Sequence, residues 1–534
     1  MFIKAYQKQY QNKKFIGILC FKKLILNEFA VQFFSFDFVE IFAFLYVCVI
    51  LYFKIGGSIQ MKRKLIAITI LAARDSIFFL GVAKSLNLSG YNVCFINFYE
   101  PDTFLLRQSG FEVFCVQEQI RDPVYSIQPL SDLNNIQKNY GIESIRDLIF
   151  HEKLTFSKYS EGDLIKKALL YLAVLDNILI KSNPDIVIQE LGGFIAPLSL
   201  FHSCLRNNIR HYFIEPMPFK GTIGLLENCI NYSVDDIELQ RSWSDFIKNY
   251  QQQYQDRKFI IIPDKDKHHF MDAKFGKFIN QRNLKILWKK IVNKYVLRYF
   301  EEYNFILNHV LRNFQMAYNR FFINNLYSDF EKFKSNKYVF FPLHVRLDFQ
   351  LTVRSPEWLD QITLIEQISN LLPFGVDLVI KEHPASVGSY SKIELKSLLK
   401  NKNIKIVRPS VNAFDLIKFS EAVVTINSKV GTEAIMQQKP LFILGEVPYK
   451  NLNFCISVNS IRELKIRLND FLEHRNSYNF DWSAASIFFE KLYNNSHTAE
   501  LYLNDLENYD LFAKAIERAY SEGKSFKAKS DWVD

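Results

Sequence analysis

A chain of 534 residues is too long for one ordinary hydrophobic core, so two domains plus extensions are expected. Apolar residues at 49% with only 18 Gly and 15 Pro argue against a disordered or low-complexity protein, and the net charge of +10 suits an acidic partner such as a phosphate, a nucleotide or an anionic lipid. Seven cysteines lie scattered without CxxC or Cys/His spacing, which argues against a disulfide framework and a zinc site and fits a reducing, cytosolic setting.

Residues 33–53 are strongly apolar and approach the roughly 20 residues that span a bilayer. Asp37 and Glu40 interrupt them, and a charge near the bilayer centre costs about 2.5–3.5 kcal/mol on insertion scales. No secretory cleavage site follows. Met61-Lys62-Arg63-Lys64 then reads as a second beginning. Residues 1–60 are therefore expected to be either a single membrane anchor or an upstream extension outside the working protein.

The run 65–71 has the composition of a first buried strand. It is followed by Ala72-Ala73-Arg74-Asp75-Ser76, an amphipathic stretch to Leu88, a stop at Gly90 and a second strand at 92–98, which is a βαβ opening. Residues 184–193 add a strand with a tight turn at Gly192-Gly193. Residues 210–214 add another, ending in Glu215-Pro216-Met217-Pro218-Phe219-Lys220-Gly221. Residues 61–233 thus form one Rossmann-like domain.

From 234 to 337 the pattern turns helical, with eight Lys or Arg between Gln281 and Arg320 interleaved with Trp288, Tyr295, Tyr299, Phe300 and Tyr303. One reading is a helical insertion or bridge with a solvated basic face. The other is a surface for anionic lipid or a polyanionic acceptor, since basic faces interleaved with aromatics suit interfacial binding. A second α/β domain is expected over 338–458, its first helix at 357–372 carrying Trp358, Ile362, Ile365, Ile368 and Leu372 on one face. Residues 459–534 read as closing helices and a polar tail.

The chemistry concentrates in the second domain. Mainly apolar runs at 376–380, 404–407, 422–426 and 441–444 alternate with helical spacing, the pattern of a doubly wound parallel sheet whose ligands sit at the carboxyl ends of the strands. Two motifs fall at such ends, Lys381-Glu382-His383-Pro384 and Ser428-Lys429-Val430-Gly431-Thr432-Glu433-Ala434. Pro384 restricts the residue before it, so His383 is held where its strand stops and its imidazole can donate to a phosphate oxygen, with Lys381 adding positive charge. Ser428 and Gly431 precede a helix expected to begin at Thr432, whose N–H groups suit an anion. Glu433 can accept from both hydroxyls of a ribose. His344, Arg346 and Gln350 follow the domain's first strand and are placed in the interdomain cleft, Arg346 suiting a phosphate or a sugar carboxylate. In the first domain Asp75, Glu190 and Glu215 are the candidate carboxylates for orienting or deprotonating an acceptor hydroxyl. The sequence does not rank them against a role as turn caps.

At these residues the chain resembles the bacterial capsule polysaccharide biosynthesis family, which includes the β-Kdo transferases of capsule and lipopolysaccharide assembly. The resemblance runs over 338–445, in Phe341-Pro342-Leu343-His344-Val345, Lys381-Glu382-His383-Pro384-Ala385, Pro409-Ser410-Val411, Val423-Val424-Thr425-Ile426-Asn427-Ser428 and Gly431-Thr432-Glu433-Ala434. It is weaker upstream, at Gly192-Gly193 and the turn after Glu215. It implies an α/β, GT-B-like architecture of two Rossmann-like doubly wound domains facing across a cleft, with the acceptor on the first and the nucleotide on the second. It further implies a glycosyltransferase without a bound metal or other cofactor, whose leaving phosphate is stabilised by His383, Ser428 and the helix start. Pro384, Lys381, Gly431 and Thr432 would complete the nucleotide site and Glu433 would hold the ribose. CMP-Kdo is the expected donor, its sugar carboxylate facing His344 and Arg346.

The function so implied is transfer of Kdo to a surface glycan or lipid-linked acceptor, in the cytoplasm or at the cytoplasmic face of the inner membrane. The expected partners are a nucleotide sugar, a glycan or glycolipid acceptor and anionic lipid, not nucleic acid. A sugar-nucleotide epimerase of the same architecture and a non-catalytic glycan- or nucleotide-binding subunit of a polysaccharide export complex are the alternatives.

Overall fold

In a computed structural model the described residues are 64–529, apart from 123–131, 156–158, 236, 238–251, 253–280, 300–305 and 475–477. The apolar stretch at 33–53 and the start at Met61 lie outside the described residues. So does most of the chain between 236 and 280.

The first sheet is built on β1 (Leu65–Ile70), β2 (Asn92–Asn97), β3 (Glu112–Cys115), β4 (Ile186–Glu190), β5 (Arg210–Pro216) and β6 (Thr222–Glu227). Its order is β13-β6-β5-β4-β1-β2-β3, where β13 is the short strand His497–Thr498. β1 to β5 are mutually parallel, β6 is antiparallel to β5, and β13 is antiparallel to β6 and so runs in the direction of β1 to β5. β1 is apolar along almost its whole length because both of its faces are covered. Ile66, Ile68 and Ile70 pack under the helices Ala73–Leu88 and Leu506–Glu522 with Phe78, Phe79, Phe512 and Ile516. Ala67 turns the other way, towards Leu169, Leu172 and Leu175 of the helix Glu161–Ser182.

The second sheet contains β7 (Tyr338–Pro342), β8 (Asp377–Lys381), β9 (Ile404–Val407), β10 (Ala422–Thr425), β11 (Leu441–Ile443) and β12 (Cys455–Ser457). Its order is β12-β11-β10-β7-β8-β9, every pair parallel. The sequence runs outward from β7 on one side and then returns to start again at β10, so the switch point where strand order reverses lies between β7 and β10. In the first sheet the corresponding switch lies between β1 and β4. Ligands of doubly wound sheets sit beyond the carboxyl ends of the strands at such points.

Three details depart from the sequence reading. The helix expected over 357–372 is Gln361–Leu371, with Pro356–Trp358 forming a separate 3₁₀ turn. Asp360 breaks the run by accepting from the Thr363 N–H at 3.2 Å, an N-cap that the apolar spacing alone conceals. β3, β6 and β12 have no counterpart in the sequence reading. The C-terminal segment does not stay with the second domain: β13 extends the first sheet, and Leu506–Glu522 covers that sheet's outer face.

The strand ends of the two sheets meet. Arg354, beyond β7, forms a two-pronged ion pair with Glu215 of β5 at 2.9 and 2.8 Å. Lys429, beyond β10, donates to the Pro216 carbonyl at 3.0 Å, and His151 Nδ1 lies 2.6 Å from the Thr352 hydroxyl. Gly193, after β4, sits so close to Val353 that an added Cβ would lie 2.9 Å from its methyl group. Behind these contacts one apolar cluster runs from Phe213, Met217 and Phe219 to Phe340, Val423, Phe488 and Phe489. Both carboxyl edges therefore border a common junction.

Candidate functional site

The loop after β7 positions the first part of the site. His344 is 6% exposed, and its backbone N–H donates to Gln361 Oε1 at 2.8 Å, which fixes the turn. Neither ring nitrogen makes a well-formed hydrogen bond. Burial lowers its pKa to about 4, and nearby His383 adds to that; the Asn427 and Gln361 amides oppose it weakly. Leu347 holds a left-handed backbone at φ 60° two residues before the helix Phe349–Thr352. For a branched side chain this costs energy, and such strain gathers at functional turns. Here it aims the chain so that Thr352, Val353 and Arg354 enter the junction.

β8 ends at Lys381, and the next three residues diverge in role. Lys381 is largely buried, which lowers its pKa to about 8, while the charge of Glu433 acts to raise it. That coupling places Lys381 and Glu433 within electrostatic reach of one another. Glu382 is fully buried and points away from the cleft, accepting from the Tyr327 hydroxyl at 2.6 Å. His383 is extended at φ −65° and ψ 133°, as a residue before proline should be, and caps the 3₁₀ turn Pro384–Ser386. Its Nδ1 accepts from the Ala385 N–H at 3.2 Å. A neutral imidazole used this way carries its proton on Nε2, leaving that nitrogen as a donor.

β10 supplies the third part. Asn427, 9% exposed, donates to the Gln350 carbonyl at 2.6 Å and to Ser355 Oγ at 3.1 Å, while its own Oδ1 has no partner. The following helix is Val430–Met436, so it starts two residues before the expected Thr432. Ser428 Oγ accepts from the Val430 N–H and Ser428 O from the Gly431 N–H, so the first turn already satisfies much of its own donor capacity. Thr432 is 5% exposed and turns its hydroxyl back to the Lys429 carbonyl at 2.7 Å. Gly431 is needed for close packing rather than for an unusual φ: a Cβ there would stand 1.9 Å from the Tyr449 hydroxyl, which itself donates to Ser428 O.

His344, Lys381, His383, Asn427, Ser428 and Glu433 are thus brought to the carboxyl ends of β7, β8 and β10, around the switch point. Arg346 is not placed like the others. It pairs with Glu394 at 3.0 Å and donates to the Ser389 carbonyl on the outer side of the loop, 46% exposed.

The three first-domain carboxylates fall into two places. Asp75 Oδ2 accepts from the Leu71 and Ala72 N–H groups at 2.9 Å each, locking the turn after β1. Its other oxygen receives the Tyr502 hydroxyl at 2.9 Å, and the same hydroxyl contacts Glu190 at the end of β4. Arg74 closes the group, 3.2 Å from Glu190 and stacked over the Tyr502 ring. One hydroxyl hydrogen cannot serve two ionised carboxylates, so this trio favours holding an extra proton. Burial, with the Glu190 charge next, raises the Asp75 pKa accordingly. Glu215 stands apart, both its oxygens gripped by Arg354. Asp75 and Glu190 therefore share the first sheet's switch point, and Glu215 sits in the junction.

Arg354, Asn427, Lys429 and Tyr502 went unnoticed as site residues in the sequence. Asn427 lies in a stretch that the family resemblance already marks. Arg354 and Tyr502 sit in no motif, and Tyr502 reaches Glu190 across |i−j| = 312, so only the fold unites them.

The burial of Glu382 makes a measurable prediction. Burial raises its pKa from 4.5 to about 7, against the pull of Tyr327, the Gly388 backbone and Arg320. A carboxyl whose folded pKa is raised contributes stability below its unfolded pKa that is lost as pH climbs through the folded value. The stability of the parent relative to Glu382→Gln is therefore expected to fall by up to about 3 kcal/mol between pH 4.5 and pH 7 and then to level off, as urea titrations across that range would record.

Two Rossmann-like sheets whose carboxyl edges adjoin, each with polar groups gathered at its switch point, define the GT-B class of fold. Residues 278–452 match the family described as Capsule polysaccharide biosynthesis protein. That stretch takes in the basic helices and most of the second sheet. Protein FixF of Sinorhizobium fredii is 30% identical over 135 residues, covering 25% of this chain. The match spans only 30% of the length of that curated relative.

Among solved structures, the Thermosulfurimonas dismutans KpsC, a beta Kdo 2,7 transferase, overlays with a TM-score of 0.28 and 14% identity, covering 68% of this chain and 98% of its own. The UDP-GlcNAc 2-epimerase of Methanocaldococcus jannaschii, in complex with UDP-GlcNAc and UDP, gives a TM-score of 0.28 at 15% identity, covering 81% and 99%. Overlays this loose carry no argument about chemistry.

Proposed function

We propose that the chain is a nucleotide-sugar-dependent glycosyltransferase of capsule or lipopolysaccharide biosynthesis, moving Kdo from CMP-Kdo to a surface glycan or lipid-linked acceptor at the cytoplasmic face of the inner membrane. The observation that carries the reading is the convergence of His344, Lys381, His383, Asn427 and Glu433 at one switch point, inside the segment that matches the capsule family. In this reading the Nε2–H of His383 and the ammonium of Lys381 face the phosphate that departs with the nucleotide, where developing negative charge needs fixed donors. Pro384, Ser428, Gly431 and Thr432 shape the wall of that site. Glu433 accepts from the ribose hydroxyls. His344, buried and neutral with unsatisfied ring nitrogens, is better placed than Arg346 to meet the donor's sugar, because Arg346 is already paired with Glu394.

On the acceptor side, the Asp75–Tyr502–Glu190 group can take up and return a proton, whereas Glu215 is held as an anion by Arg354. The reading makes Asp75 with Glu190 the proton-handling pair and Glu215 a positioning residue. No metal or other cofactor has a part in it.

Incubating the protein with a panel of CMP-, UDP- and GDP-sugars, and measuring nucleotide release with and without a glycolipid acceptor, tests the proposal. Acceptor-dependent CMP release from CMP-Kdo is expected. Turnover confined to UDP or GDP donors would remove Kdo while keeping transfer. Interconversion of a UDP-sugar with no acceptor dependence would replace transfer with epimerisation.

A further inference from the structure

The described part of the basic insertion displays an apolar face that the nucleotide and carboxylate sites do not use. In the helix Ile306–Ile323, Leu311, Phe314, Tyr318 and Phe321 recur at intervals of three and four and share one side. They are 55%, 65%, 56% and 76% exposed. The rest of the helix holds it to the second domain: Ala317, at the edge of the stripe, and Ile323 are buried, and Asn319 donates to the Gly388 carbonyl at 3.0 Å. Gly388, at φ 83°, lies so near that an added Cβ would meet the Met316 carbonyl oxygen at 2.3 Å. The apolar stripe is thus fixed facing outward.

The preceding helix Gln281–Ile291 packs beside it and, with its continuation, adds Leu284, Trp288 and Tyr295, which are 56%, 68% and 68% exposed. Contiguous exposed apolar surface of this kind marks a binding face rather than ordinary surface scatter.

The charges around the stripe choose among partners. Lys285, Lys289, Lys290, Lys294, Arg298 and Arg312 accompany it, and the segments 281–299 and 306–323 contain no Asp or Glu. A soluble polyanion would use the cations but leave Trp288, Phe314 and Phe321 in water. A second copy would bury the aromatics but bring like charges together. An anionic bilayer satisfies both, taking the rings at the headgroup boundary and the cations at the phosphates. Among the described residues no helix is long and apolar enough to cross a membrane. We propose that the helices Gln281–Ile291 and Ile306–Ile323 form a docking surface for an anionic lipid membrane, a role that stands whatever the donor sugar.

The test mixes the full chain with vesicles of phosphatidylglycerol and phosphatidylethanolamine carrying brominated acyl chains and follows tryptophan emission. Quenching is expected and should vanish in Trp288→Phe, a mild change at an exposed position that leaves the fold intact. Lys285→Gln with Lys289→Gln should weaken vesicle affinity about 25-fold, from about 1 kcal/mol per basic residue near an anionic surface. Phosphatidylcholine vesicles should bind weakly, and Phe314→Ser with Phe321→Ser should abolish quenching.

Quenching that survives Trp288→Phe unchanged would place the lipid contact elsewhere and overturn the proposal. So would a Trp288 emission shift caused by soluble dextran sulfate but not by vesicles. Self-association of the parent that Phe321→Ser dissolves, with no vesicle quenching, would assign the face to a second copy instead.

Discussion

Replacing Arg354 with methionine is expected to lower stability by about 3–5 kcal/mol, read as a shift of the urea midpoint, because it leaves a buried carboxylate without its counter-charge. The side chains of Arg354 and Glu215 are only 7% and 11% exposed, so water does little to compensate either. Arg354 also donates to the Ile230 carbonyl at 2.6 Å, which would lose its partner in the same step. Glu215→Leu alone should be similarly damaging, since it strands the guanidinium. The double change, Arg354→Met with Glu215→Leu, should recover most of the loss, because two apolar side chains can fill the space of a buried ion pair at little cost. A single Arg354→Met that shifted stability by less than about 1 kcal/mol would mean that the pair is effectively solvated. The contact also joins the two sheets, so the double variant separates its roles: stability returns, while any turnover that depends on the register of the strand ends does not.

The second large effect concerns His383. His383→Ala is expected to slow nucleotide release about 10²–10³-fold, the size reported for removing one preorganised donor to developing charge. Alanine also removes the cap that His383 provides by accepting from Ala385, so a loss there mixes chemistry with folding. Asparagine separates the two. Its side-chain oxygen is a good helix cap, but it lacks the ring's Nε2 donor at that reach. His383→Asn should therefore melt like the parent and still turn over slowly, with the loss in kcat rather than in KM. Full activity in His383→Asn would reduce His383 to a turn cap.

How far the sequence could be read depended on the range of the interactions involved. The parallel strands of the second sheet were visible as apolar runs, because a strand covered on both faces needs no polar alternation. The places of Lys381, His383 and Ser428–Glu433 were visible because each follows its strand directly in the chain. Local chemistry also set the errors. The helix after β10 begins at Val430 and not at Thr432, and Asp360 starts a helix where apolar spacing alone suggested an earlier one. Arg346 looked like the cation of the cleft because it follows β7 directly. Arg354, eight residues further on, is the cation that the left-handed turn at Leu347 delivers to the junction. Nothing in a linear pattern reports that rotation. Tyr502 was illegible for a simpler reason, since its partners Asp75 and Glu190 are more than three hundred residues upstream.

The return of the C-terminal segment to the first sheet bears on how the protein comes into being. Phe512, Ile516 and Ala519 complete a core whose other half is Ile66, Ile68, Phe78 and Phe79, and Tyr502 completes the carboxylate group at the end of β1 and β4. During translation the first domain emerges early and then waits, its outer face uncovered, until residues 502–519 have left the ribosome. The second domain, contiguous from β7 to β12, has no such wait. Residues 497–522 therefore finish a core begun at residues 65–88, and a nascent chain stopped before residue 500 would carry a second domain able to fold beside a first that is not.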